Sequence, residues 1–178
     1  SAAVDSEVVS ITVVEAGNQL PVLDPIGDRS TTEEVQLLFV VSASDAESTP
    51  VLTTSALPTG ASFVDNGDGS GSFDWTPTFT QAGIYEVTFY ATDDSTAVDS
   101  ELVTITVNDA GNQAPVLDPI GPQSTTENVL LTFAVSASDA DATIPALTTS
   151  ALPSGSSFTD GGYATASFSW TPTYLQSA

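Results

Sequence analysis

The sequence predicts an all-β protein built from tandem antiparallel β-sandwiches. Three observations carry that expectation: a sequence block that returns along the chain, period-two alternation of apolar and polar residues inside each block, and turn-forming residues between the alternating runs. No segment shows a helical stripe.

The repeat is read directly. NQLPVLDPIGDRSTTEEVQLLFVVSAS (18–44) returns as NQAPVLDPIGPQSTTENVLLTFAVSAS (112–138), an offset of 94 from Asn18 to Asn112. After one inserted residue the offset is 95, where SALPTGASF (55–63) returns as SALPSGSSF (150–158) and FDWTPT (73–78) as FSWTPT (168–173). VDSEVVSITVVEAGN (4–18) matches VDSELVTITVNDAGN (98–112). The expected organisation is therefore 1–17 as the last strand and linker of a preceding repeat, 18–111 as a complete β-sandwich, and 112–178 as a second β-sandwich repeat lacking its last two strands. Two readings of the open ends follow. In the simpler one the chain is an excerpt of a longer array. In the other, Val4 to Val14 of one molecule inserts into the second repeat of another, which leaves the strand before it unaccounted for.

The strands follow in order. Strand A (20–26) carries Pro21, Pro25 and Gly27 around it and suits a sheet edge. Strand B (35–44) puts Leu37, Phe39, Val41 and Ala43 on one face. Strands C (50–55) and D (61–65) are short, and Leu57-Pro58-Thr59-Gly60 separates them. Strand E (70–76) turns Phe73 and Trp75 inward, so Trp75 and its counterpart Trp170 are read as core residues and not as sugar platforms. Strand F (84–93) aligns Tyr85, Val87, Phe89 and Ala91, and strand G (98–108) aligns Val103, Ile105 and Val107. The acidic stretch Asp65-Asn66-Gly67-Asp68-Gly69 reads as a hairpin turn, because Gly67 stands where a calcium loop needs its second ligand.

Composition narrows the function. Hydrophobic residues make up 40% of the 178, enough for a packed core. There are 23 Asp and Glu against one basic residue, Arg29, for a net charge of −22. Polyanionic partners are excluded on that charge: no nucleic acid and no anionic membrane surface. The longest apolar run, Leu37 to Val41, is far too short for membrane insertion, and SAAVDSEVV has no signal-peptide pattern. Without Cys there are no disulfides or thiolate metal sites. Without His, Cys or Lys there is no usual triad, Schiff base or thiol nucleophile, and no Lys–Asn isopeptide cross-link. A paired-carboxylate glycosidase remains formally open, but the acidic clusters sit in turns of a repeated unit. The expectation is a protein that is not an enzyme.

The string NQAPVLDPIG…TTEN…LTFAVSASDAD…FSWTPT, and above all SFDWTPTFTQAGIYEVTFYATD (72–93), resembles the cadherin-like repeats of the dystroglycan type. It is similar as well to the immunoglobulin-like tandem repeats of large bacterial surface proteins. The resemblance implies immunoglobulin/cadherin-like sandwiches strung end to end in an extracellular or cell-surface rod, stalk, adhesin or filament. The alternative it leaves is a glycan- or protein-binding adhesion module. Implied partners are neighbouring repeats of the same or identical chains, and a surface glycan or protein.

In cadherin-like arrays calcium binds at domain junctions. The matching positions at the lower junction are Glu33 and Glu34 after strand A, Asn108, Asp109 and Asn112 in the linker, and Asp139 and Asp141 in the next repeat. The upper junction offers Glu15, Asn18, Asp45, Glu47, Asp93 and Asp94. Clustered carboxylates and carbonyls suit Ca²⁺, which takes six to eight hard oxygen ligands. Two departures point to weak binding: Thr76-Pro77-Thr78 stands where cadherins carry an acidic pair, and the linker NDAGNQAP is poor in Asp. The alternative is that these are solvated loop charges.

Overall fold

The computed structural model describes residues 2–14 and 17–176. It is all-β among those residues. The strands are β1 (Val22–Leu23), β2 (Arg29–Thr32), β3 (Leu37–Ser44), β4 (Val51–Thr54), β5 (Ser62–Asp65), β6 (Ser70–Trp75), β7 (Gly83–Thr92), β8 (Val98–Asn108), β9 (Val116–Leu117), β10 (Leu131–Ser138), β11 (Ser157–Gly162) and β12 (Thr165–Trp170). They form three four-stranded sheets, in the orders β1-β3-β6-β5, β2-β8-β7-β4 and β11-β12-β10-β9.

Strand A differs from its expected span. Val22 and Leu23 pair with β3, antiparallel through Val22↔Ser44 and Leu23↔Ala43, and the Asp24 N–H donates to the Ser42 carbonyl at 2.9 Å. The chain then leaves that sheet, and β2 joins the other one beside β8. Pro25 cannot donate to a ladder and Gly27 adopts φ 68°, so the strand breaks between them. The amides freed by the break are met by carboxylates. Asp99 Oδ2 accepts from the Leu23 N–H at 2.8 Å, and Glu101 accepts from Ile26 at 2.8 Å and Gly27 at 2.7 Å. β3 starts later than expected because Val35 N–H closes a turn onto the Thr32 carbonyl.

The chain divides into two compact units: Ser1–Arg29 with Leu38–Trp75 and Glu86–Thr104, and Ser30–Leu37 with Thr76–Tyr85 and Ile105–Ala178. The core of the first is aromatic. Phe39 and Phe73 stack at 4.8 Å, and Phe89 meets Phe39, Phe63 and Phe73 edge-on at 5.8, 5.4 and 6.1 Å. Val41, Leu52, Trp75, Val87, Ala91 and Val103 are buried around them. The guanidinium of Arg29 lies 5.0 Å from the Phe39 centroid. Gly71 makes room for the Phe63 ring, since a Cβ there would lie 2.4 Å from Cζ.

The turn between β5 and β6 is a hairpin, as read from the sequence. Asn66 N–H returns to the Ser70 carbonyl, with Gly67 and Gly69 at φ 76° and 82°. Asp68 Oδ1 accepts from the Ser70 hydroxyl at 2.6 Å and from the Ser70 N–H at 3.0 Å.

In the second unit, β10 pairs β12 through Phe133↔Phe168, and those rings stack at 4.8 Å. Val135, Leu147 and Ala166 are buried, with Phe133, Ala137 and Phe158 packed against them. Trp170 is half-buried, and its indole N–H donates to the Ser154 carbonyl at 3.3 Å. Leu147, from the stretch between β10 and β11, packs on the face that carries Phe133 and Phe158. Residues 2–14 form no strand.

Two predictions follow from this packing. Trp75→Ala should destabilise the first sandwich by about 3–5 kcal/mol in chemical denaturation, the loss expected for a buried large aromatic. The Ser70 hydroxyl, and after it the Ser70 N–H, hold the Asp68 carboxyl below its ordinary value of 3.8. A folded value below the unfolded one contributes stability above pH 3.8, lost as pH falls through the lower folded value. An NMR titration of Asp68 should therefore give a midpoint under 3.8, rising toward it in Ser70→Ala. An Asp68 midpoint unmoved by that substitution would count against the assignment.

Candidate calcium site

Glu33 follows β2 in the second unit and is 3% exposed. The chain turns sharply there: Glu33 N–H donates to the Asn108 carbonyl at 3.0 Å, and Glu34, at φ 61°, donates its N–H to the Pro77 carbonyl at 2.7 Å. The turn aims the Glu33 carboxylate inward. Oε1 accepts from the Ala82 N–H at 2.8 Å and Oε2 from the Ala110 N–H at 3.1 Å. A buried carboxylate with no basic partner is thus satisfied by backbone amides. It holds the residue after Asp109 in place. Sequence reading missed this role, for which no signal exists beyond an acid at the end of a polar strand.

The other lower-junction residues lie close by. Asn108 ends β8 and donates its side-chain N–H to the Thr31 carbonyl at 2.9 Å. Asp109 Oδ1 accepts from the Gly111 N–H at 2.6 Å. Asn112 donates its side-chain N–H to the Gln113 carbonyl at 2.8 Å. Asp141 Oδ2 accepts a short bond from the Gln113 N–H, and its own N–H donates to Asp139 Oδ1 at 3.0 Å. Glu33, Asp109, Asn112 and Asp141 line one cavity of about 320 Å³ with Phe79 and Ala82. Glu34 and Asp139 are not among its lining residues.

The upper-junction residues belong to the first unit. Asp93 is 5% exposed; Oδ1 accepts from Ser95 N–H at 2.9 Å and Ala97 N–H at 2.7 Å, and Oδ2 from the Asn18 side chain at 2.7 Å. Asp94 Oδ1 accepts the Ser95 hydroxyl at 3.3 Å. Asp45 Oδ1 gathers Glu47 N–H, Ser48 N–H and the Ser48 hydroxyl at 2.9, 2.7 and 3.1 Å. Those bonds, the Glu47 amide first, hold its carboxyl below the ordinary value. Asp45 Oδ2 is buried with no hydrogen-bond partner among the described residues. Glu47 accepts the Gln19 N–H at 3.2 Å. Glu15 lies outside the described residues.

In chemistry the donors suit a hard cation. In arrangement, no group of three or more acidic side chains able to hold a metal comes together among the described residues. The carboxylates are spread over loops and linkers: Glu33, Asp45, Glu47, Asp93, Asp109, Asp139 and Asp141 each have an oxygen engaged by a backbone amide, while Asp94 accepts the Ser95 hydroxyl. Among the described residues no helix is long and apolar enough to cross a membrane.

Comparison with known proteins places the fold. The family model described as "Putative Ig domain" matches residues 5–108. No curated protein matches the chain. Among solved structures, the chain is similar to an endo-fucoidan hydrolase of glycoside hydrolase family 107, MfFcnA4, at 18% identity and a TM-score of 0.49, covering 93% of this chain and 26% of the hydrolase. It is similar to the SrpA adhesin of Streptococcus sanguinis at 9% identity and a TM-score of 0.48, covering 72% of this chain and 90% of the adhesin. It is similar to titin Ig tandem domains at 10% identity and a TM-score of 0.39, covering 91% and 86%. TM-scores below 0.5 leave each of these a likeness and no more. The first corrects one expectation. The inventory of residue types pointed to a protein that is not an enzyme, yet solved structures similar to this chain include glycoside hydrolases of which it spans only 26%. Residue types within so small a share do not decide whether the whole protein is catalytic. The match over residues 5–108 spans more than half of the 178, and the chain belongs to that immunoglobulin-like family.

Proposed function

We propose that this chain is a structural segment of an extracellular array, a rod, stalk, adhesin or filament, whose partners are neighbouring repeats. The observation that carries the reading is that both repeats are built on the same hydrogen bonds. Thr31 and Thr125 hydroxyls donate to the carbonyls of Val35 and Val129. Glu34 and Asn128 amides donate to Pro77 and Pro172. Gln19 and Gln113 amides donate to the carboxylates of Glu47 and Asp141. Gln19 and Gln113 side chains close back on the carbonyls of Gly17 and Gly111. The residues entering each repeat thus take one local conformation, as a repeated module requires.

Calcium is the finer part of the proposal. Asp109, Asn112 and Asp141 would hold the ion, with carbonyls and water completing its shell. Bound calcium would neutralise carboxylates that otherwise repel at a net charge of −22. Because amides already occupy part of each carboxylate, binding should be weak, in the range of about 10⁻⁴–10⁻³ M found for extracellular modules.

The test is a pair of melting curves, with calcium and with chelator, at matched ionic strength. At one hundred times the dissociation constant a site adds about 2.7 kcal/mol, so the calcium curve should lie several degrees higher. Asp109→Asn with Asp141→Asn should abolish the difference. Glu33→Gln should lower stability in both conditions, because one of its two amide partners loses its acceptor. Superimposable parent curves would leave these groups as solvated, amide-bonded carboxylates.

A further inference from the structure

We infer that Asn66 is a self-modification site: its side-chain amide cyclises onto the Gly67 nitrogen when the β5–β6 hairpin opens, and the closed hairpin holds that reaction back. The inference rests neither on calcium nor on the array reading.

The chemistry needs two neighbouring groups and water. The Gly67 nitrogen attacks Asn66 Cγ, so an N–Cγ bond forms and the Cγ–Nδ2 bond breaks. The side-chain nitrogen leaves as ammonia, taking the Gly67 amide proton with it. Water then opens the succinimide ring. Attack at Cγ leaves an ordinary aspartate. Attack at the main-chain carbonyl leaves an isoaspartate, whose backbone runs through the side chain and is longer by a methylene. Nothing is oxidised or reduced.

The sequence singles out this position. Of the asparagines at 18, 66, 108, 112 and 128, only Asn66 precedes a glycine. The others precede Gln19, Asp109, Gln113 and Val129, whose side chains crowd the attacking nitrogen. Gly67 leaves its nitrogen bare, with open space where a Cβ would stand. Asn66 and Gly67 are both exposed, so water reaches the ring. An Asp-Gly step cyclises only from the protonated acid, and the Ser70 hydroxyl and N–H hold the Asp68 carboxyl below its ordinary value. In the second repeat Gly161 stands in place of Asn66, so that hairpin lacks the reactive amide.

In the closed hairpin both reacting groups are held elsewhere. The Gly67 N–H donates to Asp65 Oδ1 at 3.0 Å. The Asn66 side-chain amide donates to the Ser70 hydroxyl oxygen at 2.9 Å, and that hydroxyl is anchored on Asp68 Oδ1 at 2.6 Å. Asp65 has a second duty: Oδ2 accepts from the Leu52 N–H of β4, in the opposite sheet, at 3.1 Å. Separation of β4 from β5 therefore loosens the carboxylate that restrains the Gly67 nitrogen. Opening also draws on the core, since Phe63 of β5 meets Phe89 edge-on at 5.4 Å. The rate of cyclisation then follows the population of the opened hairpin. An isoaspartate lengthens the loop that the Asn66 N–H closes onto the Ser70 carbonyl at 2.9 Å. A hairpin that has opened and reacted closes less well, and the chain keeps a covalent record of the event.

The experiment holds the full chain in warm neutral buffer with chelator, both native and in denaturant below its unfolding transition, beside a synthetic peptide of residues 62–72. Peptide 64–73, released by chymotrypsin, is followed by mass for exchange of the amide for a carboxyl, and by isoaspartyl methyltransferase labelling. Native conversion should run at least about tenfold slower than in the free peptide, because the restraining hydrogen bonds must open first. It should rise with denaturant. Ser70→Ala should convert faster than the parent when denaturant is adjusted to give both the same global stability. Asn66→Gly, which copies the second repeat, should abolish the signal. Native conversion as fast as the peptide's would overturn the inference, as would a Ser70→Ala rate equal to the parent's at matched stability. So would no conversion in denaturant, or conversion of another asparagine ahead of Asn66.

Discussion

The interaction on which this structure depends is the hydrogen bond from a backbone amide to a carboxylate. With 23 acidic side chains and a single arginine, ion pairing is almost unavailable, and burying an unpaired carboxylate is costly. The chain meets both constraints by aiming its acids at main-chain N–H groups where ladders stop. Asp99 and Glu101 serve the break in strand A, Asp65 the amides of Leu52 and Gly67, and Asp93 those of Ser95 and Ala97. Glu33 joins Ala82 to Ala110. Hydrogen bonds to charged groups contribute about 1.5–3 kcal/mol each when shielded from water. The two most buried of these acids, Glu33 and Asp93, lie at opposite ends of β8 and fix where the chain enters and leaves it.

The same arrangement governs what the acids can do next. An oxygen that accepts an amide keeps a second lone pair, but its direction is fixed by the turn and not by a ligand. Amide-bonded acids hold the loops that carry them through the chain's own hydrogen bonds. They also give a linker that is ordered without any ion.

Much of this was legible in the sequence, for reasons that differ by element. β7 and β8 announce themselves because Val87, Phe89, Ala91 and Val103, Ile105, Val107 alternate cleanly with polar residues, and burial follows that alternation. The family follows from the block 72–93 and the repeat. β2 was not legible, since Arg-Ser-Thr-Thr has no apolar rhythm; its place is set by pairing with β8. The acids at Glu33, Asp99 and Glu101 were visible as residues but not as amide acceptors, because their partners lie about 50 to 80 positions away in sequence. Trp170 was read as core by analogy with Trp75 and is half-buried, because a side chain's burial depends on strands opposite it and not on its own register.

The two copies of the repeat show which positions the fold holds fixed. The large inward residues are identical: Phe39 and Phe133, Val41 and Val135, Phe73 and Phe168, while inward Gly71 becomes Ala166. Outward, Ser42 and Ser44 return as Ser136 and Ser138, but the large residues do not. Leu38 and Val40, 61 and 62% exposed, correspond to Thr132 and Ala134. The turn acids sort in the same way. Asp45 and Asp139, each accepting an amide two residues on, are kept, while Glu47 becomes Asp141 and still accepts the glutamine amide at the repeat entrance. Glu34 becomes Asn128 with a similar positive φ and the same bond to a proline carbonyl. What persists is therefore the backbone geometry and the group that satisfies it. The retention is not uniform, since Asp68, whose carboxylate accepts the Ser70 amide, gives way to Tyr163; where the acids are kept, at Asp45 and Asp139, they satisfy amides of the chain's own turns.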